Sequence, residues 1–314
     1  MSDAGRGRLL GYAEAVAAAS LWGSSGIFAV NLFRLGVPPE SLALLRPLLG
    51  GAILLAAVLV VRPAVLRVER RGLLLIFLGG GVAVGVFQIA YQLSTDAVGV
   101  PSTVAMLYLA PAVVAAASGP ILGEWPDRTR LALLAVTLTG VWLSVLGAEE
   151  VTATFGSSGV GWGLLAGLSY GAYTLFGRYA TPRYGSLPIV VWSTLGSCVV
   201  LAVAVPLTSG PVVLPEGGRA WSLLFAFSLV TIAVAHSLFF DALGRIDASR
   251  VSIATAVEPV VAGLLATVLL AQGLTPLGWA GIGLVVVGVA GVGVTARADE
   301  PEVGEPVAPP GGGG

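Results

Sequence analysis

SLALLRPLLGGAILLAAVLVV, residues Ser41 to Val61, carries a single charge, Arg46, in 21 positions. Wound as a helix, about 20 apolar residues match the hydrocarbon thickness of a bilayer. A barrel strand would be about half that length and would alternate strictly; this run does neither. Working outward, nine further runs of similar kind appear: Leu9–Leu32, Leu73–Leu93, Gly99–Gly119, Arg130–Gly147, Gly159–Arg178, Pro188–Leu207, Ala220–Asp241, Ser249–Leu270 and Leu277–Thr295. The expected fold class is therefore an all-α membrane protein with ten transmembrane helices. Numbered in chain order, these are spans 1 to 10. Span 1 is too long for the apolar core of a signal peptide, and further spans follow, so it reads as a mature helix.

Composition agrees. The chain has 314 residues, 56% hydrophobic and 11% charged, against about 25% charged in soluble domains. Mean hydropathy is +0.93. A water-soluble fold, disorder, a disulfide scaffold and a coiled coil are all excluded. The formal net charge of −1 leaves no basic field for nucleic acid. Cys198 is the only cysteine and forms no internal disulfide.

Arginine placement orients the spans. With the N-terminus in the cytoplasm, the inside segments hold 13 arginines: Arg6, Arg8, Arg62, Arg67, Arg70, Arg71, Arg128, Arg130, Arg178, Arg183, Arg245, Arg250 and Arg297. The outside loops hold only Arg34 and Arg219. One missed span would invert every later loop and destroy that bias. Both termini are expected in the cytoplasm of a multi-pass protein of the cell (inner or plasma) membrane. The tail, 296–314, is acidic and rich in Pro and Gly, with nothing to bury, so it is expected to be disordered.

The chain also repeats. A shift of 148 residues lays LWGSSGIF (21–28) on SYGAYTLF (169–176), pairing Trp22 with Tyr170 and Gly23 with Gly171. It pairs Gln88 with His236, Tyr91 with Phe239, Pro111 with Pro259 and Gly140 with Gly288. The expected organisation is a cytoplasmic start (1–8), a first repeat (9–147), an external linker (148–158), a second repeat (159–295) and the tail. Five spans per repeat is odd, so the two repeats insert in opposite directions. Many secondary transporters share that plan, with the solute near the midplane at the repeat interface.

The motifs then point to a family. Trp22-Gly23-Ser24 resembles the WG-S signature of EamA-type members of the drug/metabolite transporter superfamily. Arg46 resembles their recurrent second-helix arginine. Pro111 with Gly123-Glu124 resembles the end of their fourth helix. Glu258-Pro259 resembles the second copy, where Gln272 replaces the usual terminal Glu. The resemblance spans about residues 9–295 and implies a ten-helix carrier, often an exporter of amino acids or other small metabolites.

Polar groups inside a membrane require a reason. Arg46 either snorkels to headgroups or pairs with a solute carboxylate, which a guanidinium fork suits better than an ammonium. Glu258 is the deepest carboxyl. It is a candidate for proton coupling or for binding a solute amine; alternatively it satisfies backbone groups freed by Pro259. Gln88 and Tyr91, with Gln92, share one face of span 3, and His236 occupies the matched site in span 8. These are solute-pathway candidates or interhelical hydrogen-bonding groups. Trp22 and Tyr170 lie mid-span, away from the interfacial belts where such rings collect, and line a cavity or pack. Tyr173 and Thr231 are weaker cavity candidates. Pro111 and Pro259 are candidate hinges. Glu14 is expected to be wetted at the inner end of span 1. Asp96, Glu124, Asp127 and Asp241 are expected to be solvated at helix ends. Gly278, Gly281, Gly288 and Gly291 mark a close contact of span 10, inside one protomer or in a homodimer.

No phosphate-binding loop, metal-ligand cluster or nucleophilic triad occurs, so no cofactor, no metal and no enzyme activity are expected. A secondary transporter exporting a small solute across the lipid bilayer is the leading reading. A non-transporting receptor or scaffold is the alternative. An intramembrane enzyme would need a reacting pair, and Glu258 with His236 is the sole candidate.

Overall fold

The computed structural model of the chain describes residues 3–146, 157–270 and 275–298. Most of the expected linker, Gln272 and all but the start of the tail lie outside the described residues. Every regular element described is helical, with no strand among the described residues. Among the described residues, six helices are long and apolar enough to cross a membrane: Gly5–Arg34, Pro39–Val61, Arg70–Thr95, Ser186–Ser209, Gly217–Arg245 and Ala248–Leu265. Ala110–Leu122 and Pro276–Gly291 are shorter apolar helices. The fifth and sixth candidate spans are helical as Arg128–Leu146 and Ser157–Tyr184.

Interruptions fall where the sequence weakens a helix. Span 1 breaks between Asp3–Trp22 and Ser25–Arg34, at Gly23-Ser24. The helix Gly81–Leu107 ends just before Pro111, and Ala110–Leu122 resumes. In span 9 the helix Ala248–Ala254 tightens into the 3-10 turn Thr255–Val257, and Glu258–Leu270 resumes with Pro259 at its second position. A proline has no N–H to donate, and its ring clashes with the carbonyl four residues earlier. Those carbonyls belong to Leu107 and Thr255, the points where the two helices give way. The two breaks are related by the 148-residue shift. Glu258 therefore opens a helical segment instead of sitting halfway along an unbroken one. π-helical turns occupy Leu75–Gly80 and Leu229–Val234, in spans 3 and 8, though six residues out of register with the repeat.

The boundary between spans 3 and 4 differs from the sequence reading. Helical hydrogen bonding runs through Gly81–Leu107 without the expected loop at 94–98. Yet Ser94 and Thr103 share a 2.8 Å hydrogen bond between side chains. In a straight helix nine residues would separate them by about 13 Å. The axis consequently folds back between them, and Ser94 also donates to the Gly159 carbonyl at 3.1 Å.

Packing pairs helices of one half with helices of the other. Span 1 lies along Ala235–Arg245 of span 8, and span 6 lies along Gly81–Leu107; Pro39–Val61 lies along Ser186–Ser209, and Arg128–Leu146 along Pro276–Ala298. Glycines allow the last of these contacts. A Cβ at Gly140 would strike the Gly281 carbonyl, one at Gly288 would strike Thr137, and one at Gly291 would strike Leu133. The span 10 glycines Gly281, Gly288 and Gly291 thus serve a contact inside the protomer. The largest buried cluster gathers Tyr91, Tyr170, Tyr173, Phe239 and Phe240 from both halves.

Candidate functional site

Arg46 follows one and a half turns of span 2 and is 5% exposed. Its side chain turns inward, not toward headgroups. Nη2 donates to Gln88 Oε1 at 2.6 Å, and the guanidinium carbon lies 4.8 Å from the centroid of the Phe227 ring. Cation–π attraction of this kind grows when water is excluded. The buried Arg46 Nε and Gln88 Nε2 atoms have no hydrogen-bond partner, so each retains an unfilled donor. Gln92 is also buried, with neither amide atom partnered.

The second constellation forms around one carbonyl. Trp22 Nε1 donates to Thr231 O at 2.9 Å, and His236 Nδ1 lies 2.6 Å from the same oxygen. Only a protonated Nδ1 makes that second contact a hydrogen bond, which leaves Nε2 as the acceptor. Thr231 lies inside the π-helical turn, and its Oγ1 donates to Phe227 O at 2.7 Å. Trp22 meets Tyr170 edge-on at 6.1 Å, His236 at 5.1 Å and Phe239 at 5.2 Å. Trp22 and Tyr170 are repeat-related, so their contact marks where the two halves meet. Tyr173 stacks on Phe239 at 5.6 Å and reaches His236 at 6.0 Å. Phe87 links Tyr91 to Tyr170 at 5.8 and 5.6 Å. The hydroxyls of Tyr108, Tyr170 and Tyr173 are buried without a partner.

Glu258 is 9% exposed. Its backbone carbonyl packs on span 1 where that helix breaks: a Cβ on Gly23 would come within 2.9 Å of the Glu258 oxygen and of Val261 Cβ. This is the physical reason for glycine in the Trp22-Gly23-Ser24 motif. The Tyr108 hydroxyl approaches the Glu258 carboxyl without reaching ordinary hydrogen-bond geometry. The Arg46 and Glu258 charges fall within one another's field. No direct ion pair joins them. His236 engages the Thr231 carbonyl through Nδ1.

The fold thus brings together Trp22, Arg46, Gln88, Tyr91, Tyr170, Tyr173, Thr231, His236 and Glu258. Pro111 stands apart, beside a narrow crevice with Pro126, Arg130, Ser249 and Ile253. Sequence reasoning missed Tyr108, Phe87 and Phe227. For Tyr108 the signal existed: like Trp22 and Tyr170, it is a polar-tipped ring in mid-span. Nothing in the sequence separates Phe227 from other apolar residues, because its role depends on Arg46 arriving from span 2.

The helix-end charges are not simply solvated. Asp247 receives Arg130 Nη1 at 3.0 Å, Arg250 Nε at 3.4 Å and Arg178 Nη2 at 3.5 Å. Glu124, with 17% of its side chain exposed, takes Arg178 Nε at 2.5 Å and the Ala248 N–H at 3.1 Å. Glu14 is 8% exposed and accepts from Arg245 Nε at 2.8 Å. Asp241 accepts from the Ser186 hydroxyl. The expectation of solvated carboxylates fails for Glu14 and Glu124 because span ends from distant parts of the chain converge there. Asp127, with 59% of its side chain exposed, remains open to water. The side chain of Asp96 lies outside the described residues.

Known proteins resemble this chain in sequence and in fold. The model of the EamA-like transporter family matches twice, at residues 9–146 and 157–294. The inner membrane transporter YicL of Salmonella typhimurium is 23% identical over 281 residues, covering 86% of this chain and 91% of that one. The threonine/homoserine exporter RhtA of Escherichia coli K12 is 26% identical over 291 residues, covering 90% and 91%. A crystal structure superposes with a TM-score of 0.78 at 20% identity, over 94% of this chain and 99% of that one; at such identity the likeness concerns the fold.

Proposed function

The chain belongs to the EamA-like transporter family, and we propose that it exports a small metabolite, an amino acid or a related amphipathic compound, by alternating access. One observation carries this reading. Two buried charges, Arg46 in the first family match and Glu258 in the second, are linked through Gln88 and Gly23 to the neighbouring Phe87 and Trp22, which pack on an aromatic cluster built by both halves. Isolated charges are costly inside a bilayer and mark solute and ion paths. Similarity to a threonine/homoserine exporter supports an amino acid as the solute.

The reading includes ten spans in two inverted repeats, with both termini cytoplasmic. The reciprocal packing of the halves and the matched breaks before Pro111 and Pro259 support it. So does the arginine asymmetry. Pro111 and Pro259 are the deformation points when one set of helices rocks against the other. Glu258 exchanges the coupling proton, while Trp22, Arg46, Gln88, Tyr91, Tyr170, Tyr173, Thr231 and His236 form the solute path.

Proteoliposomes with an imposed pH gradient test the function. Purified protein should accumulate L-threonine or another amino acid against its gradient, and Glu258→Gln, which cannot ionise, should lose that accumulation. Equal uphill transport by Glu258→Gln would remove the proton role. Topology is tested by Arg67→Cys and Ala153→Cys in a Cys198→Ser background, treated with an impermeant thiol reagent on intact cells. Position 153 should label and position 67 should not; the reverse pattern would overturn the orientation.

A further inference from the structure

Arg46 and Glu258 are opposite charges, both more than nine-tenths buried, yet they do not form an ion pair. A buried pair usually repays its desolvation only by direct contact with good geometry. Here each charge keeps unfilled capacity. Arg46 spends one nitrogen on Gln88 and leaves Nε unpartnered. Glu258 has the unpartnered Tyr108 hydroxyl nearby and, among the described residues, no ion-pair partner. A line of contacts joins the two residues. The Glu258 backbone carbonyl abuts Gly23; Trp22, next in chain, donates to the Thr231 carbonyl; the Thr231 hydroxyl donates to the Phe227 carbonyl; and the Phe227 ring lies against Arg46. The side chains along that line, Trp22, Thr231 and Phe227, are aromatic or neutral and polar.

We propose that Arg46 and Glu258 are the two poles of a zwitterion site, the α-carboxylate of the solute on the Arg46 guanidinium and its ammonium on the Glu258 carboxylate. The inference rests on the export reading above and narrows it to free α-amino acids. The guanidinium fork matches a carboxylate in two parallel hydrogen bonds. A carboxylate with phenol hydroxyls and ring faces nearby suits an ammonium, which rings also attract. In an α-amino acid the two ionic groups share one carbon, so a single small molecule offers a partner to each pole. A solute with one charge leaves the other pole buried and unpaired. That penalty lowers affinity by about 100-fold or more. Glu258 then carries a proton in one part of the cycle and an ammonium in the other.

The experiment is counterflow of radiolabelled L-threonine in proteoliposomes of the purified full chain, with three unlabelled competitors. They are L-threonine, L-threonine amide (no carboxylate) and the analogue with hydroxyl in place of ammonium. Wild type should be inhibited about 100-fold more weakly by either analogue than by L-threonine. Arg46→Gln should relax rejection of the amide alone, and Glu258→Gln rejection of the hydroxy acid alone. Arg46→Lys, which keeps the charge, should still reject the amide and guards against a variant that fails through misfolding. Robust threonine counterflow in which both analogues compete within about threefold of threonine would overturn the zwitterion site and leave amino-acid export standing. Unchanged selectivity in folded Arg46→Gln and Glu258→Gln would overturn it equally. Counterflow of no common amino acid by wild type would overturn the export reading and this site together.

Discussion

At one end of the helices Asp247 gathers the guanidiniums of Arg130, Arg178 and Arg250, and Glu124 and Glu14 take Arg178 and Arg245. At the opposite end of spans 1 and 8, Phe28 stacks on Phe227 at 5.3 Å among Leu32, Leu42, Leu45 and Leu224. One closure is ionic and ties spans 1, 5, 6, 8 and 9 to the bend before Ala248. The other is apolar and ties spans 1, 2 and 8. The physics of the two differs. Partly buried charge pairs hold a defined geometry and resist separation, because each parted charge must find water or another partner. Apolar side chains in a membrane protein gain little by meeting one another instead of lipid, so their closure rests on shape and dispersion. On these grounds the ionic end is expected to resist parting more than the apolar end, which needs only repacking.

The largest expected effect comes from the apolar end. Phe227→Ala removes a fully buried ring that packs on Phe28 and supports Arg46, and should lower stability by about 3 kcal/mol. Thermal unfolding of the purified protein in detergent measures it. A loss below about 1 kcal/mol would show that shape contributes little there. Next is the junction between the ends. Gly23→Ala places a methyl 2.9 Å from the Glu258 carbonyl and Val261, and overpacking of this kind costs about 2 kcal/mol; the same assay applies. Transport should fall more than stability, since the displaced backbone carries Glu258. Unaltered transport would separate Gly23 from the site.

Asp247→Asn should follow, at about 1.5 kcal/mol after allowing for solvent at the carboxylate. Its sharper readout is access. Ser249→Cys beside the crevice should react with an impermeant thiol reagent about tenfold faster when Asp247 is Asn, while a cysteine at Leu32 should not change. Equal acceleration at both positions would abolish the distinction between the ends. The smallest effect is expected for Glu14→Gln, since Arg245 has 39% of its side chain exposed. A loss of about 0.5 kcal/mol, diminished by added salt, is expected in unfolding assays.

Much of this was legible before any coordinates. Arg46, Glu258, Trp22 and Tyr170 stand out because a polar group or a mid-span ring violates the composition around it, and the fold brings all four to one region. The glycines of span 10 announced a close contact, though not with which helix. Glu14 and Glu124 misled. At a helix end a carboxylate looks solvated, and only the arrival of Arg245 and Arg178, 231 and 54 residues away, changes that. The turn between spans 3 and 4 also misled, because helical hydrogen bonding continues around it where a loop was expected.

The sequence by itself determined the apolar helical runs, the repeat, the proline positions and which charges are forced inside. These follow from local chemistry: a peptide group in lipid must bond within its own helix, and a proline must break that pattern. The tertiary structure decided which charges meet. It set Arg46 on Gln88 and Phe227 but apart from Glu258, and turned the carbonyl of Thr231 to both Trp22 and His236. It also gave one end of the molecule ions and the other rings. Such pairings depend on helix rotation and register, which an apolar run leaves free and packing at the small residues fixes.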